Sequence, residues 1–320
     1  MHSKFCFRTQ WESGMSITDP SGRSRQPDRS DPLVIRLTRA AAALASRAVP
    51  GLSAGVLERL FTTPRRYALR PHEADRMASA QRGHLDLAEG LRIPLYRWGN
   101  GPTVLLIHGM SGRGSQMAGF AAPLVAAGFS VVAFDAPGHG AAPGKRFSLP
   151  EHAQVVLQVA RHLGPLAGVV AHSVGAAAMT LALSEGAETG RLVYFAPPED
   201  MEGHLFRVAR LLGFSTRVAG RTKRRLETRL GVPMEALRGR DIARTMTRPL
   251  LVFHDRGDGM VPFSDGATLI RHWPSARLVA TEGLGHARIL RDPEALDRTV
   301  RFLAGRQSGQ GSIGSEDVAA

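Results

Sequence analysis

Six short apolar runs punctuate the second two-thirds of the chain: residues 103–109 (TVLLIHG), 130–138 (SVVAFDAPG), 166–173 (LAGVVAHS), 191–198 (RLVYFAPP), 248–255 (RPLLVFHD) and 276–283 (ARLVATEG). They are nearly continuous in apolar residues rather than alternating, which predicts strands covered on both faces. Segments with helical spacing lie between them, such as SQMAGFAAPLVAAG and PEHAQVVLQVARHLG. Strands alternating with helices predict an α/β protein with a mostly parallel, doubly wound sheet. Ahead of them, residues 83–98 alternate apolar and polar positions around Glu89-Gly90, which predicts a hairpin, and Pro94 places its second arm near a sheet edge.

About fifty residues separate the fourth run from the fifth, far more than a crossover needs, and they have helical patterning. In the first of these helices Leu205, Val208 and Leu212 share one face. The expected organisation is a core of residues 80–197 and 248–305, with a helical cap over 198–247. Residues 33–79 form a helical N-terminal extension, split at Pro50-Gly51. Polar termini, 1–32 and 306–320, are expected to be disordered. Arg36, Arg39 and Arg47 recur at helical spacing, and the expectation is a helix packed on the main domain with these arginines outward.

Composition narrows the classes. The single cysteine, Cys6, excludes an internal disulfide framework and a multi-cysteine metal site. Arginines interrupt the most apolar early stretch, 33–49, so neither a secretory signal nor a membrane span is read there. A cytoplasmic protein without stable membrane insertion is expected. The formal net charge is +13, and all basic residues but Lys4, Lys145 and Lys223 are arginines. They are spread along the chain with no nucleic-acid motif, so the reading is a solvated basic surface and no nucleic-acid partner.

In parallel α/β sheets ligands bind beyond the carboxyl ends of the strands, and chemistry-bearing residues stand at several of those ends. Ser173 follows the third run in Ala-His-Ser-Val-Gly, immediately before a helical pattern rich in small residues. That is the context of a nucleophile elbow, a strained turn that raises a serine hydroxyl above the sheet. Ala171 stands where glycine is usual, one methyl larger, and Gly175 is retained. A serine needs a base. Among the twelve histidines His286 stands out, in EGLGHARIL just after the last strand. The base needs an acid, and HDRGDGMVPF offers Asp255 and Asp258. Asp258 lies further out and is preferred, with Asp255 bracing the loop. The backbone N–H groups of Met110 and Val174 are the candidate donors to a developing oxyanion. Gly109 and His172 are the candidate substrate-binding positions; the His172 side chain is expected to point away from the nucleophile. His139 and His204 are read as non-catalytic.

Taken in order, HGMSG, FDAPGHG, AHSVGAAA, FAPP, HDRGDGMVP and GLGHARIL resemble an α/β-hydrolase-fold serine hydrolase, over roughly residues 80–304. The resemblance implies Ser173 as nucleophile, Asp258 as acid, His286 as base, a helical cap after the sixth family strand, and no cofactor or metal. The single glycine after His108 implies modest acyl groups. The expected activity is carboxylic-ester hydrolysis of a small-molecule ester through an acyl-enzyme. Acyl transfer by the same triad and a non-catalytic ligand-binding member of the fold are the alternatives.

Overall fold

The computed structural model describes residues 33–88 and 90–306. The N-terminal residues 1–32 and the end of the tail, both expected to be disordered, lie outside the described residues. Eight strands form one sheet: β1 Gln81–Asp86, β2 Arg92–Trp98, β3 Thr103–Ile107, β4 Ser130–Phe134, β5 Leu166–His172, β6 Thr189–Phe195, β7 Leu250–Asp255 and β8 Ala276–Thr281. Their spatial order is β1-β2-β4-β3-β5-β6-β7-β8. β1 and β2 pair antiparallel, β2 joins β4 antiparallel, and the remaining five pairings are parallel. All six apolar runs are strands. Pro94 sits in the strand one in from the edge, opposite His84.

The longer helices are α1 Leu33–Ala48, α2 Pro50–Thr62, α3 Pro71–Met77, α4 Leu149–Leu163, α5 Val174–Ser184, α6 Met201–Leu211, α7 Thr216–Leu230, α8 Phe263–His272 and α9 Pro293–Leu303. Strand residues alternate between two cores because successive side chains point to opposite faces. Leu105, Val169, Ala171, Leu192 and Val252 pack with α4, α5 and α8. Leu106, Val170, Val193 and Phe253 pack with Phe120, Leu124 and the α9 residues Ala295 and Leu303.

A third core lies apart from the sheet. Ala54 and Leu57 of α2 pack against Leu205 and Ala209 of α6 and Val218, Ala219 and Leu226 of α7. Polar contacts reinforce it: Thr222 Oγ1 donates to Ala54 O at 3.2 Å, and Arg225 and Arg229 both bond Glu58. The N-terminal extension and the insertion between β6 and β7 therefore make one layer. The expected orientation of α1 holds for Arg36 and Arg47, which are exposed, and needs correction at Arg39. Ile35, Arg39, Ala42 and Ser46 face the body, while Leu33, Leu37 and Leu44 face outward and are exposed. The outward face is apolar, with Arg36 and Arg47 exposed along its flank.

Candidate active site

The end of β5 turns directly into α5 at Ser173, whose backbone takes φ 52° and ψ −129°. A non-glycine residue held there costs about 1–3 kcal/mol. The surroundings leave little alternative: Ser173 N donates to Phe195 O at 2.9 Å, and the corner is compressed. A Cβ on Gly175 would lie 2.5 Å from His108 O, and one on Gly109 would lie 2.9 Å from Ser173 Cβ. Ala171, in register with Ile107 of β3, is buried, and its methyl is accommodated. Ser111, Ser173 and Ala196 are the non-glycine residues with positive φ among the described residues, and each follows the end of a strand, β3, β5 or β6. Backbone strain is concentrated along the carboxyl edge of the sheet.

His286 occupies a short helical turn, Gly285–Arg288, beyond β8. Its Nδ1 lies 2.7 Å from Asp258 Oδ2. A carboxylate only accepts, so Nδ1 carries the proton and Nε2 keeps its lone pair. Asp258 Oδ1 accepts from the N–H groups of Met260 and Val261 at 2.8 and 3.0 Å. Burial pushes the Asp258 carboxyl upward, but the bonds from His286, Val261 and Met260 outweigh it and hold it below the usual carboxylate range. Asp255 does something else: it accepts from Gly257 N, Thr281 Oγ1 and Leu284 N. It ties the ends of β7 and β8 together and carries the His286 turn.

His108 orients the loop after β3. Its Nε2 accepts from Ala136 N at 3.0 Å, which puts the ring proton on Nδ1, and Nδ1 donates to Gly109 O at 2.8 Å. Gly112 N donates to the same oxygen at 2.9 Å. In a trans peptide the N–H points opposite the carbonyl, so anchoring Gly109 O directs the Met110 N–H the other way. The Met110 and Val174 N–H groups have no protein acceptor among the described residues. Burial holds His108 neutral, with its pKa lowered to about 4.

Ser173, His286, Met110 and Val174 line one cavity of about 480 Å³. Gly109 and His172 line it too. His172 does not point away: its Nε2 donates to His286 O at 3.0 Å and its ring lies 4.7 Å from the His286 ring. Burial, then the nearby His286 ring, lowers its pKa to about 3, so it stays neutral. The cover comes from both segments of the third core: Leu60 and Phe61 of α2, and Met201, His204, Val208 and Leu212 on and just beyond α6. His204 packs on Phe61 with its buried Nδ1 unpaired, and burial lowers its pKa to about 4. Its role in the cavity wall, like that of Phe61, was missed from sequence; the shared face of Leu205, Val208 and Leu212 was the local signal for that helix, and α2 carried none.

Comparison with known proteins agrees with this architecture. A sequence model of the family described as Serine aminopeptidase, S33, matches residues 101–239, less than half of the chain. No curated protein matches in sequence. Among solved structures, the Pyrococcus furiosus esterase Pf2001 superposes with a TM-score of 0.59 at 19% identity, over 75% of this chain and 98% of that one. Est1E from Butyrivibrio proteoclasticus, solved with ferulic acid bound, gives 0.55 at 18%, over 70% and 96%. A thioesterase domain from the curacin biosynthetic pathway gives 0.53 at 19%, over 71% and 99%. The protein has the α/β-hydrolase fold. In this α/β-hydrolase fold the antiparallel hairpin occupies one edge of the sheet, and the helices between β6 and β7 contribute to the cavity at the carboxyl ends of the strands. Among the described residues no cluster of three metal-ligating side chains is present, and no helix is long and apolar enough to cross a membrane.

Proposed function

We propose that this protein is a serine carboxylic-ester hydrolase. The observation that carries the reading is the Asp258–His286 hydrogen bond, with His286 in the lining of the cavity that also holds Ser173 on its strained corner. Ser173 Oγ attacks the ester carbonyl carbon and His286 Nε2 takes the hydroxyl proton. The carbonyl oxygen, now negative, accepts from the Met110 and Val174 N–H groups. His286 returns the proton to the leaving alcohol, and the acyl group remains on Ser173. A water deprotonated by His286 then attacks the acyl carbon, the bond to Ser173 Oγ breaks, His286 returns the proton to Ser173, and the acid leaves. Asp258 holds the imidazole tautomer and offsets its charge, while His172 anchors the His286 backbone.

Cavity chemistry favours an ester over a peptide with a free ammonium terminus. Among the described residues the one carboxylate that lines the cavity is Glu73, and it is taken by Arg113 at 2.7 Å. The remaining charged side chains at the mouth include Arg65, Arg76 and Arg291, which repel an ammonium group. The apolar walls, Leu60, Phe61, Phe147, Met201 and Val208, suit a short to medium acyl or alkoxy chain.

The test is covalent labelling by a fluorophosphonate together with hydrolysis of p-nitrophenyl butyrate. Wild type takes the label and turns over. Ser173→Ala takes none and loses at least about 10³-fold in kcat. Equal labelling of the two proteins overturns the assignment.

A further inference from the structure

We propose that residues 33–69 form a docking face for an anionic lipid layer, and that this face presents the catalytic cavity to the layer. Of the eleven exposed large hydrophobic side chains among the described residues, ten lie between Leu33 and Leu69. They are not scattered. Leu33, Leu37 and Leu44 fall on the outward face of α1, and Leu52, Val56 and Leu60 recur every fourth residue on the outward face of α2. Leu44 is 68% and Leu52 73% exposed. Scattered exposed leucines need no explanation, but exposed leucines and valines lined up on the outward faces of two successive helices mark a surface suited to a partner.

Charge selects the occupant. From residue 33 to 70 the chain carries Arg36, Arg39, Arg47, Arg59, Arg65, Arg66 and Arg70 against a single carboxylate, Glu58. Glu58 is itself buried and bonded to Arg225 and Arg229. A second copy of the chain meeting this face symmetrically would press like charge on like charge. An anionic lipid layer satisfies both features at once: aliphatic side chains enter the acyl boundary, and arginines on the flanks stay at the headgroups.

The position of the face links it to the site. Leu60 and Tyr67 are exposed members of this set and also line the catalytic cavity. The eleventh exposed hydrophobic, Met260, lines the same cavity from the acid-bearing loop. A layer resting on α1 and α2 therefore lies at the cavity mouth. That the protein draws an ester substrate from this layer rests on the esterase reading above; the docking itself does not.

The experiment is co-sedimentation of the full chain with vesicles of phosphatidylglycerol mixed into phosphatidylcholine, and with vesicles of phosphatidylcholine alone, at low and high salt. The chain partitions onto the anionic vesicles at least about tenfold more strongly, and salt weakens the binding. Ser173→Ala binds as wild type does. The double variant Leu37→Asp with Leu44→Asp, changed only at exposed positions, loses about tenfold or more in binding and hydrolyses dissolved p-nitrophenyl butyrate as wild type does. Failure of wild type to sediment with anionic vesicles at low salt overturns the proposal and assigns the face to an acidic protein. Equal vesicle binding by the double variant overturns it too. So does a wild-type dimer that the double variant dissociates without any vesicle binding. Vesicle binding by a protein that turns over no ester leaves the docking face standing and overturns the esterase reading instead.

Discussion

The floor and the cover of the cavity are built on different principles. The floor is the carboxyl edge of the sheet, where a backbone group takes part in most of the anchors: Asp258 accepts from the Met260 and Val261 N–H groups, Gly109 O from the His108 ring and the Gly112 N–H, and the Ser173 N–H donates to Phe195 O. The cover, α2 with α6 and α7, is held by side chains, through a small apolar core and through Glu58 shared by two arginines. Backbone anchoring sets geometry closely and tolerates no change of conformation. Side-chain packing sets volume and polarity and adapts. Chemistry should therefore fail sharply when the floor is altered, and selectivity should drift when the cover is altered.

The largest effect expected is on the floor as a whole, through acid. His108, His139, His152 and His172 are buried there, and burial lowers their pKa values, to about 4 for His108, about 3 for His139 and His172, and well down for His152. Unfolded histidine titrates near 6.5. Between the two values the unfolded chain binds more protons than the folded one, so stability is full above about pH 6.5 and falls as pH drops below it, about 1–2 kcal/mol by pH 5 for each of His108, His139 and His172, with His152 acting in the same direction. Asp265 acts the other way: burial raises its pKa to about 6, so the folded state gains protons first and stability rises slightly with acid. Four histidines outweigh one aspartate. Unfolding free energies from urea titrations at pH 7.5 and pH 5 should differ by several kcal/mol; equal values would show that these rings are charged or hydrated in the fold.

Next in size is Asp258→Asn. The amide keeps the shape of the side chain and favours the wrong His286 tautomer. A fall in kcat of about 10⁴ at neutral pH is expected with the melting temperature nearly unchanged. A loss of no more than about tenfold would mean that Asp258 braces its loop and does not serve the base.

The smallest effect is on the cover. Phe61→Ala enlarges the cavity between α2 and His204 and should raise KM about tenfold for a p-nitrophenyl ester of medium acyl length, with kcat within about twofold. A kcat loss as large as that of Asp258→Asn would erase the distinction between floor and cover.

Much of the floor was legible in the sequence because each of its parts is local. Strand, corner and helix are contiguous at Ser173, and the retained Gly175 is explained by the 2.5 Å that a Cβ would leave to His108 O. Asp258 was separable from Asp255 by its position in the loop, since the residue at the strand end is close to the neighbouring strand and bonds it. His172 was misjudged for an equally physical reason. Its direction depends on the His286 turn, 114 residues away, whose carbonyl its ring binds. On α1, Arg36 and Arg47 are exposed as expected, but Arg39 and the apolar centre of the outward face were misjudged, because arginine spacing alone does not say which flank of a helix meets the body.

By itself the sequence determined the order of strands and helices, the parallel sheet, and the candidates Ser173, Asp258 and His286, because apolar periodicity and short turns act over a few residues. Only the tertiary structure decided that α2 and the helices after β6 form one cover, that Phe61 and His204 face the same cavity as Ser173, and that the exposed Leu60 of α2 lines it too. Those outcomes depend on apolar faces far apart in the chain finding each other, as Ala54 and Leu57 find Val218 and Leu226. Burial of apolar surface is non-directional, so local pattern announces that a face will be covered and leaves its partner to the fold.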